Sequence, residues 1–160
     1  MGFAIQKGLV DVVEILLVAG ADIEKRFCAS DPRSKERQYT PLGKAIENED
    51  IEIVSLLLER KADVEKLFHA GDGGVHFPLS MAIKKKNTEM TKLILSVCDN
   101  DLLFKNFFDG SDRIEPRTPV SLAVIQGNFE ILELLLKRDN LIALNCKFSY
   151  LGSVYDPVSF

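Results

Sequence analysis

Apolar side chains occur along this chain in short bursts of two kinds, separated by polar turns. One kind is sparse: Leu42, Ala45 and Ile46 recur at three and four residues and make a single stripe on a short helix. The other is dense: Ile51, Ile53, Val54, Leu56, Leu57 and Leu58, or Phe129, Ile131, Leu132, Leu134, Leu135 and Leu136. A helix apolar on more than one side is covered by neighbours on more than one side. Aligning the chain on Ala4, Ala45, Ala82 and Ala123 brings four sparse–dense pairs into phase. Thirteen residues after each alanine stands Leu17, Leu58, Leu95 or Leu136, and eight after it Val12, Ile53, Met90 or Ile131. Pro41, Pro78 and Pro119 stand four residues before the last three alanines, and the copies are spaced 41, 37 and 41 residues apart. Self-similarity at such a period predicts a repeat architecture.

Each recurring position has a local reason. Thr40-Pro41 and Thr118-Pro119 suit a helix start, with threonine as N-cap and proline where its missing N–H costs nothing. The alanine is small and admits a neighbouring helix closely. Polar turns, Glu47–Asp50 and Gln126–Asn128, end the first helix. Asp50, Asn87 and Asn128 then suit the N-cap of the second, with Glu52, Glu89 and Glu130 in the first turn, favoured by the helix dipole. One helix pair cannot bury its own apolar faces, so stability is expected from contacts between neighbouring pairs. The expected fold is an all-α solenoid of about four stacked helix–turn–helix units, with units at 1–37, 38–74, 75–115 and 116–153 and the start of a fifth at 154–160.

Composition adds bounds. With 46% apolar and 28% charged residues, the 160-residue chain has the make-up of a folded domain. Its net charge of −4 lacks the basic excess that phosphate binding wants, so no nucleic-acid partner is expected. The longest apolar runs, such as Ile15–Ala19, are too short for a bilayer, and no signal peptide is visible. Cys28, Cys98 and Cys146 are odd in number and widely separated, which suits reduced thiols and a cytoplasmic setting.

Thr40-Pro41-Leu42-Gly43-Lys44-Ala45, followed by Ile51-Glu52-Ile53-Val54, Leu56-Leu57-Leu58 and Ala62-Asp63-Val64, resembles an ankyrin repeat. The first copy matches from Ala4 through Gly20-Ala21-Asp22-Ile23, and the fourth at Thr118–Ala123 and Gly127–Ile131. The histidine usual after Thr-Pro-Leu is replaced by Gly43, Ser80 and Ser121. Phe77 stands for the threonine of the third copy, and Lys61 for a helix-ending glycine. Connectors at 28–38 and 106–117 exceed the usual unit of ~33 residues and are expected to extend the hairpin between units. In register, Met1 falls where Leu42 sits, and Tyr155–Phe160 matches Arg117–Leu122, so both ends are expected to break within a unit of a longer array.

The resemblance implies protein binding through a concave face built from hairpin tips and first-helix ends, without catalysis. Carried onto this chain, the helix positions are Gln6, Lys7, Glu47, Asn48, Lys84, Lys85, Ile125 and Gln126. The hairpin positions are Glu36, Arg37, Tyr39, His76, Glu115 and Arg117, with Tyr39 and Ile125 as apolar anchors. The partner is then another protein, and the chain is monomeric unless exposed end units stack. The competing reading is a targeting or regulatory segment of a larger protein, including one directed at a host cytosol.

Other chemistry is thin. His69, Asp72 and His76 share one loop, but no cysteine completes a zinc-type set, and Asp72-Gly73-Gly74 suits a turn, so no metal or cofactor is expected. Asp109–Asp112 lacks the glycine and closing glutamate of a calcium loop. Lys84-Lys85-Lys86 is either a solvated run or a recognition spot. Phe104, Phe107 and Phe108 suit a small cluster under a loop or an exposed binding patch.

Overall fold

The computed structural model describes residues 1–28, 38–107, 117–138, 148–150 and 153–155. Within them the helices are α1 (Gly2–Gln6), α2 (Val10–Val18), α3 (Pro41–Glu47), α4 (Ile51–Glu59), α5 (Pro78–Lys84), α6 (Thr88–Val97), α7 (Pro119–Ile125) and α8 (Phe129–Arg138). A 3-10 turn covers Asn100–Phe104. Two-stranded antiparallel hairpins join β1 (Phe27–Cys28) to β2 (Gln38–Tyr39), β3 (Phe68–His69) to β4 (Val75–His76), and β5 (Phe148–Tyr150) to β6 (Ser153–Tyr155). The fold is an all-α repeat fold with hairpin connectors, and no helix among the described residues is long and apolar enough to cross a membrane.

Caps start the helices where the side chains allow it. Thr40 Oγ1 accepts from the Gly43 N–H at 3.0 Å, and Thr118 exchanges two hydrogen bonds with Ser121 in a capping box. Phe77 has no such oxygen, and there Ser80 Oγ donates to the Phe77 carbonyl at 2.9 Å. In the second helices Asp50, Asn87 and Asn128 accept from Ile53, Met90 and Ile131 at 3.1, 3.0 and 3.2 Å.

The turn inside each pair is the same four times over. Gly8, Glu49, Lys86 and Gly127 all adopt positive φ, between 57° and 66°. The next N–H then reaches back to the aligned alanine: Leu9 to Ala4, Asp50 to Ala45, Asn87 to Ala82 and Asn128 to Ala123, at 3.0–3.2 Å. The alanine thus serves twice, by small size against the next pair and by a carbonyl that closes the turn. Lys61, standing for the helix-ending glycine, also takes positive φ, as does Gly20 in the equivalent place.

First helices stack in the order α1, α3, α5, α7, and second helices in the order α2, α4, α6, α8. Buried in the seam are the four aligned alanines, with Ile53, Met90 and Ile131 beneath them. Hydrogen bonds and ion pairs cross between pairs at a similar separation along the chain. Arg26 donates to the Leu67 carbonyl (2.7 Å), Lys105 pairs with Glu65 (2.5 Å), and Arg138 donates to Asn100 Oδ1 (2.7 Å) and to the Cys98 carbonyl.

Left-handed backbone at a residue with a side chain costs roughly 1–2 kcal/mol, partly offset in glycine by its greater unfolded-state freedom. Lys86→Gly, which copies the glycine of two other units, is expected to raise stability by about 0.5–1 kcal/mol. The check is an upward shift of the urea midpoint at unchanged slope; an unchanged or lowered midpoint contradicts the strain reading.

Candidate functional site

The hairpins carry a feature that residue spacing permits but that the helix pattern conceals. Phe27 pairs across its hairpin with Tyr39, Phe68 with His76, and Phe107 with Arg117 through two backbone hydrogen bonds of 2.9 and 3.0 Å. Rings from successive hairpins follow one another: Phe27 to Tyr39 at 6.4 Å, Tyr39 to Phe68 at 6.2 Å, Phe68 to His76 at 6.4 Å and His76 to Phe107 at 5.6 Å between centroids. These are the tilted contacts that aromatic faces and edges favour. The ladder explains Gly43, which replaces the usual histidine: a Cβ there would meet the Phe68 ring at 2.4 Å. Gly2 stands in the same relation to Phe27.

Tyr39 and His76, expected as surface contacts, are therefore corrected: both are buried rungs of this ladder. The reason is strand alternation, which sends Phe68 and His76 to one side of the hairpin and leaves His69 exposed. Phe107 is likewise buried and Phe104 exposed.

Two carboxylates tie the ladder to the ends of the first helices. Glu47, the last residue of α3, accepts from the Gly71 N–H at 2.7 Å and the Tyr39 hydroxyl at 3.1 Å, and pairs with Lys44 at 2.6 Å. Burial works to raise its carboxyl, but the hydrogen bonds from Lys44, Gly71 and Tyr39 outweigh it and hold the group below its ordinary range. Asp72, in the β3–β4 turn, meets His76 Nε2 at 3.1 Å and Lys84 Nζ at 2.5 Å, and accepts from the Gly74 N–H at 2.8 Å. Its carboxyl is raised by burial and lowered by Lys84, Gly74 and His76, with the lowering dominant. Among the described residues no three His, Cys, Asp or Glu side chains converge in a way that could hold a metal. Burial pushes the Cys98 thiol up, against the pull of Arg138, which makes it a poor nucleophile.

The other expected contact residues line the ends of α1, α3, α5 and α7. Asn48 Nδ2 donates to the Ile5 carbonyl at 3.1 Å and Gln126 Nε2 to the Lys84 carbonyl at 3.4 Å, so each also braces its helix to the preceding one. Lys85 faces Glu49 at 3.5 Å, and Lys7 lies over the Phe3 ring at 5.9 Å. Gln6 and Arg117 are half-buried, and Ile125 is 48% exposed. Glu36, Arg37 and Glu115 lie outside the described residues, as do Phe108, Cys146 and the 109–112 turn. Residue reading missed Phe27 and Phe68, although phenylalanines at 27, 68, 107 and 148 recur at 41, 39 and 41 residues, and it gave Asp72 only as a turn residue.

Glu47 and Asp72 have depressed folded pKa values, so their contribution to stability is present above the ordinary values of 4.5 and 3.8. It is lost as pH falls through the lower folded values. Glu47→Gln and Asp72→Asn are expected to melt below the parent at pH 7, with the gap closing below about pH 4. Thermal melts stepped from neutral to acid pH check this; a pH-independent gap contradicts it.

Residues 37–67, which span α3, α4 and the approach to β3, match the family model described as Ankyrin repeat. No curated protein matches the chain. The matched helix pair shares its positive-φ turn and its buried seam with the other three, so the segment 37–67 is similar to an ankyrin repeat and the rest of the described residues repeat its geometry.

Proposed function

We propose that this chain is a four-unit solenoid that binds a partner protein along the edge formed by the ends of α1, α3, α5 and α7, and carries no catalysis. Ankyrin repeats are generally protein-interaction modules, which supports the class. The observation that carries the surface is the succession of Lys7, Asn48, Lys85 and Gln126 at equivalent places on adjacent helices, with Ile125 beside the last. They make one strip with cations at two positions and amides at two, and Ile125 adds an apolar anchor at its end. Such a mixture suits recognition of a specific protein surface, where a few anchors supply most of the energy and charges select the partner. Tyr39 and His76 support the strip from beneath, and Glu47 holds the hairpin against it. The partner suited to Lys7 and Lys85 presents acidic groups beside an apolar side chain.

Lys85→Glu combined with Ile125→Glu changes two exposed or half-exposed residues outside the core. Affinity capture from cell extract should recover a protein with the parent chain and lose at least tenfold of it with the double variant, about 1.4 kcal/mol or more. Circular dichroism of the two should coincide. Equal recovery of every captured protein by both baits contradicts this surface.

A further inference from the structure

One carboxylate oxygen in the β3–β4 turn is shared by two basic side chains of very different burial. Asp72 Oδ2 lies 3.1 Å from His76 Nε2 and 2.5 Å from Lys84 Nζ, while Oδ1 accepts the Gly74 N–H at 2.8 Å. His76 is completely buried, with its ring next to those of Phe68 and Phe107 at 6.4 and 5.6 Å. The Lys84 side chain, at the end of α5, keeps 29% of its surface in water. Asp72 is ionised at neutral pH, because Lys84, Gly74 and His76 hold its carboxyl low, and an ionised carboxylate only accepts. The neutral imidazole therefore carries its proton on Nε2. A second proton enters at Nδ1 and adds a charge to the ring without breaking its contact with Asp72. Among the described residues packed against this hairpin, α3 brings Glu47 and Lys44, which pair with each other and reach the turn through Gly71. The segment across from Phe107 brings Arg117, β2 brings no charge, and Lys85 faces Glu49 instead. His69 stands on the exposed side of β3.

We propose that protonation of His76 transfers Asp72 from Lys84 to the imidazolium and releases the Lys84 ammonium from the turn, an exchange of ion-pair partners driven by pH. Two cations that share one carboxylate oxygen repel each other. The exchange has one direction. A buried imidazolium that lost its carboxylate would leave an uncompensated charge among apolar rings, which is costly. Lys84 loses little, since its hydrated ammonium sits on a flexible stem that already reaches water. Histidine ordinarily changes charge between about pH 5 and 8, so mild acid drives the exchange. The two ends of the turn then separate in role: Gly71 stays with Glu47, and Asp72 no longer ties the turn to α5. One consequence rests on the proposed binding strip: the released ammonium adds a cation beside Lys85 and favours an acidic partner at lower pH.

NMR spectroscopy of the chain alone, titrated from about pH 8 to about pH 5, tests the exchange without any partner. The chain has two histidines, and the exposed His69 serves as the internal reference. The two ε-methylene protons of Lys84 are expected to be resolved while the ammonium is held and to merge as it is released. Their midpoint should coincide with that of the His76 ring signal. Lys84→Met is expected to tighten proton binding at His76 by about threefold, the size of one part-exposed charge pair, and Asp72→Asn to weaken it. The titration of the parent needs no variant to fold. Lys84 signals that stay unchanged while His76 titrates overturn the proposal. So does a His76 midpoint that Lys84→Met leaves in place, or a His76 ring that takes up no proton before the chain unfolds. Failure of the binding strip would move none of these signals.

Discussion

The structure depends on burial between neighbours. An ankyrin helix pair such as α3–α4 has a first helix of seven residues and a second of nine, far below the length at which an isolated helix is stable in water. Its apolar side chains are covered partly by its own partner helix and partly by the pairs on either side, so Ile53 and Val54 reach full burial only inside the row. The aligned alanines make that close approach possible, and their carbonyls accept the N–H that turns the chain into the second helix. Sequence period, local turn and inter-unit packing are therefore one constraint seen at three scales.

The hairpins obey a second, related constraint. Their rings stack from unit to unit, and Phe68 occupies the space that the usual histidine would fill, which is why Gly43 stands there. Glu47 and Asp72 then satisfy the polar groups around the ladder, joining a helix end to a turn 24 residues away in one case and a histidine to a lysine in the other. Their carboxyls stay ionised despite partial burial because each has several donors. At the tips of the first helices Lys7, Lys85 and Ile125 stand beside Glu47, Asn48 and Gln126, which brace those ends to neighbouring elements.

Helices, caps and phase were legible from residues because they depend on chemistry within a few positions: Thr40 before Pro41, Asn87 before its helix, Ala82 in its stripe. The resemblance to an ankyrin repeat rested on those same positions, and the family match falls on the unit where they are most complete. Tyr39 and His76 were misjudged because a two-residue strand gives no alternation to read, and its inward side is decided by what the adjacent hairpin offers. Glu47 reads from the sequence as the start of a polar turn and a contact position; its bond to Gly71 depends on tertiary placement that no local pattern encodes. The positive φ of Lys86 and Lys61 was partly visible, since glycine fills the equivalent places at Gly127 and Gly20.

Native-state amide hydrogen exchange tests the dependence on neighbours most directly. If stability resides in the junctions, α3, α4, α5 and α6, each with helix pairs on both sides, should show the greatest protection, with α1, α2, α7 and α8 opening at lower free energy. Uniform protection across all eight helices, or the greatest protection in α1–α2, would contradict the account.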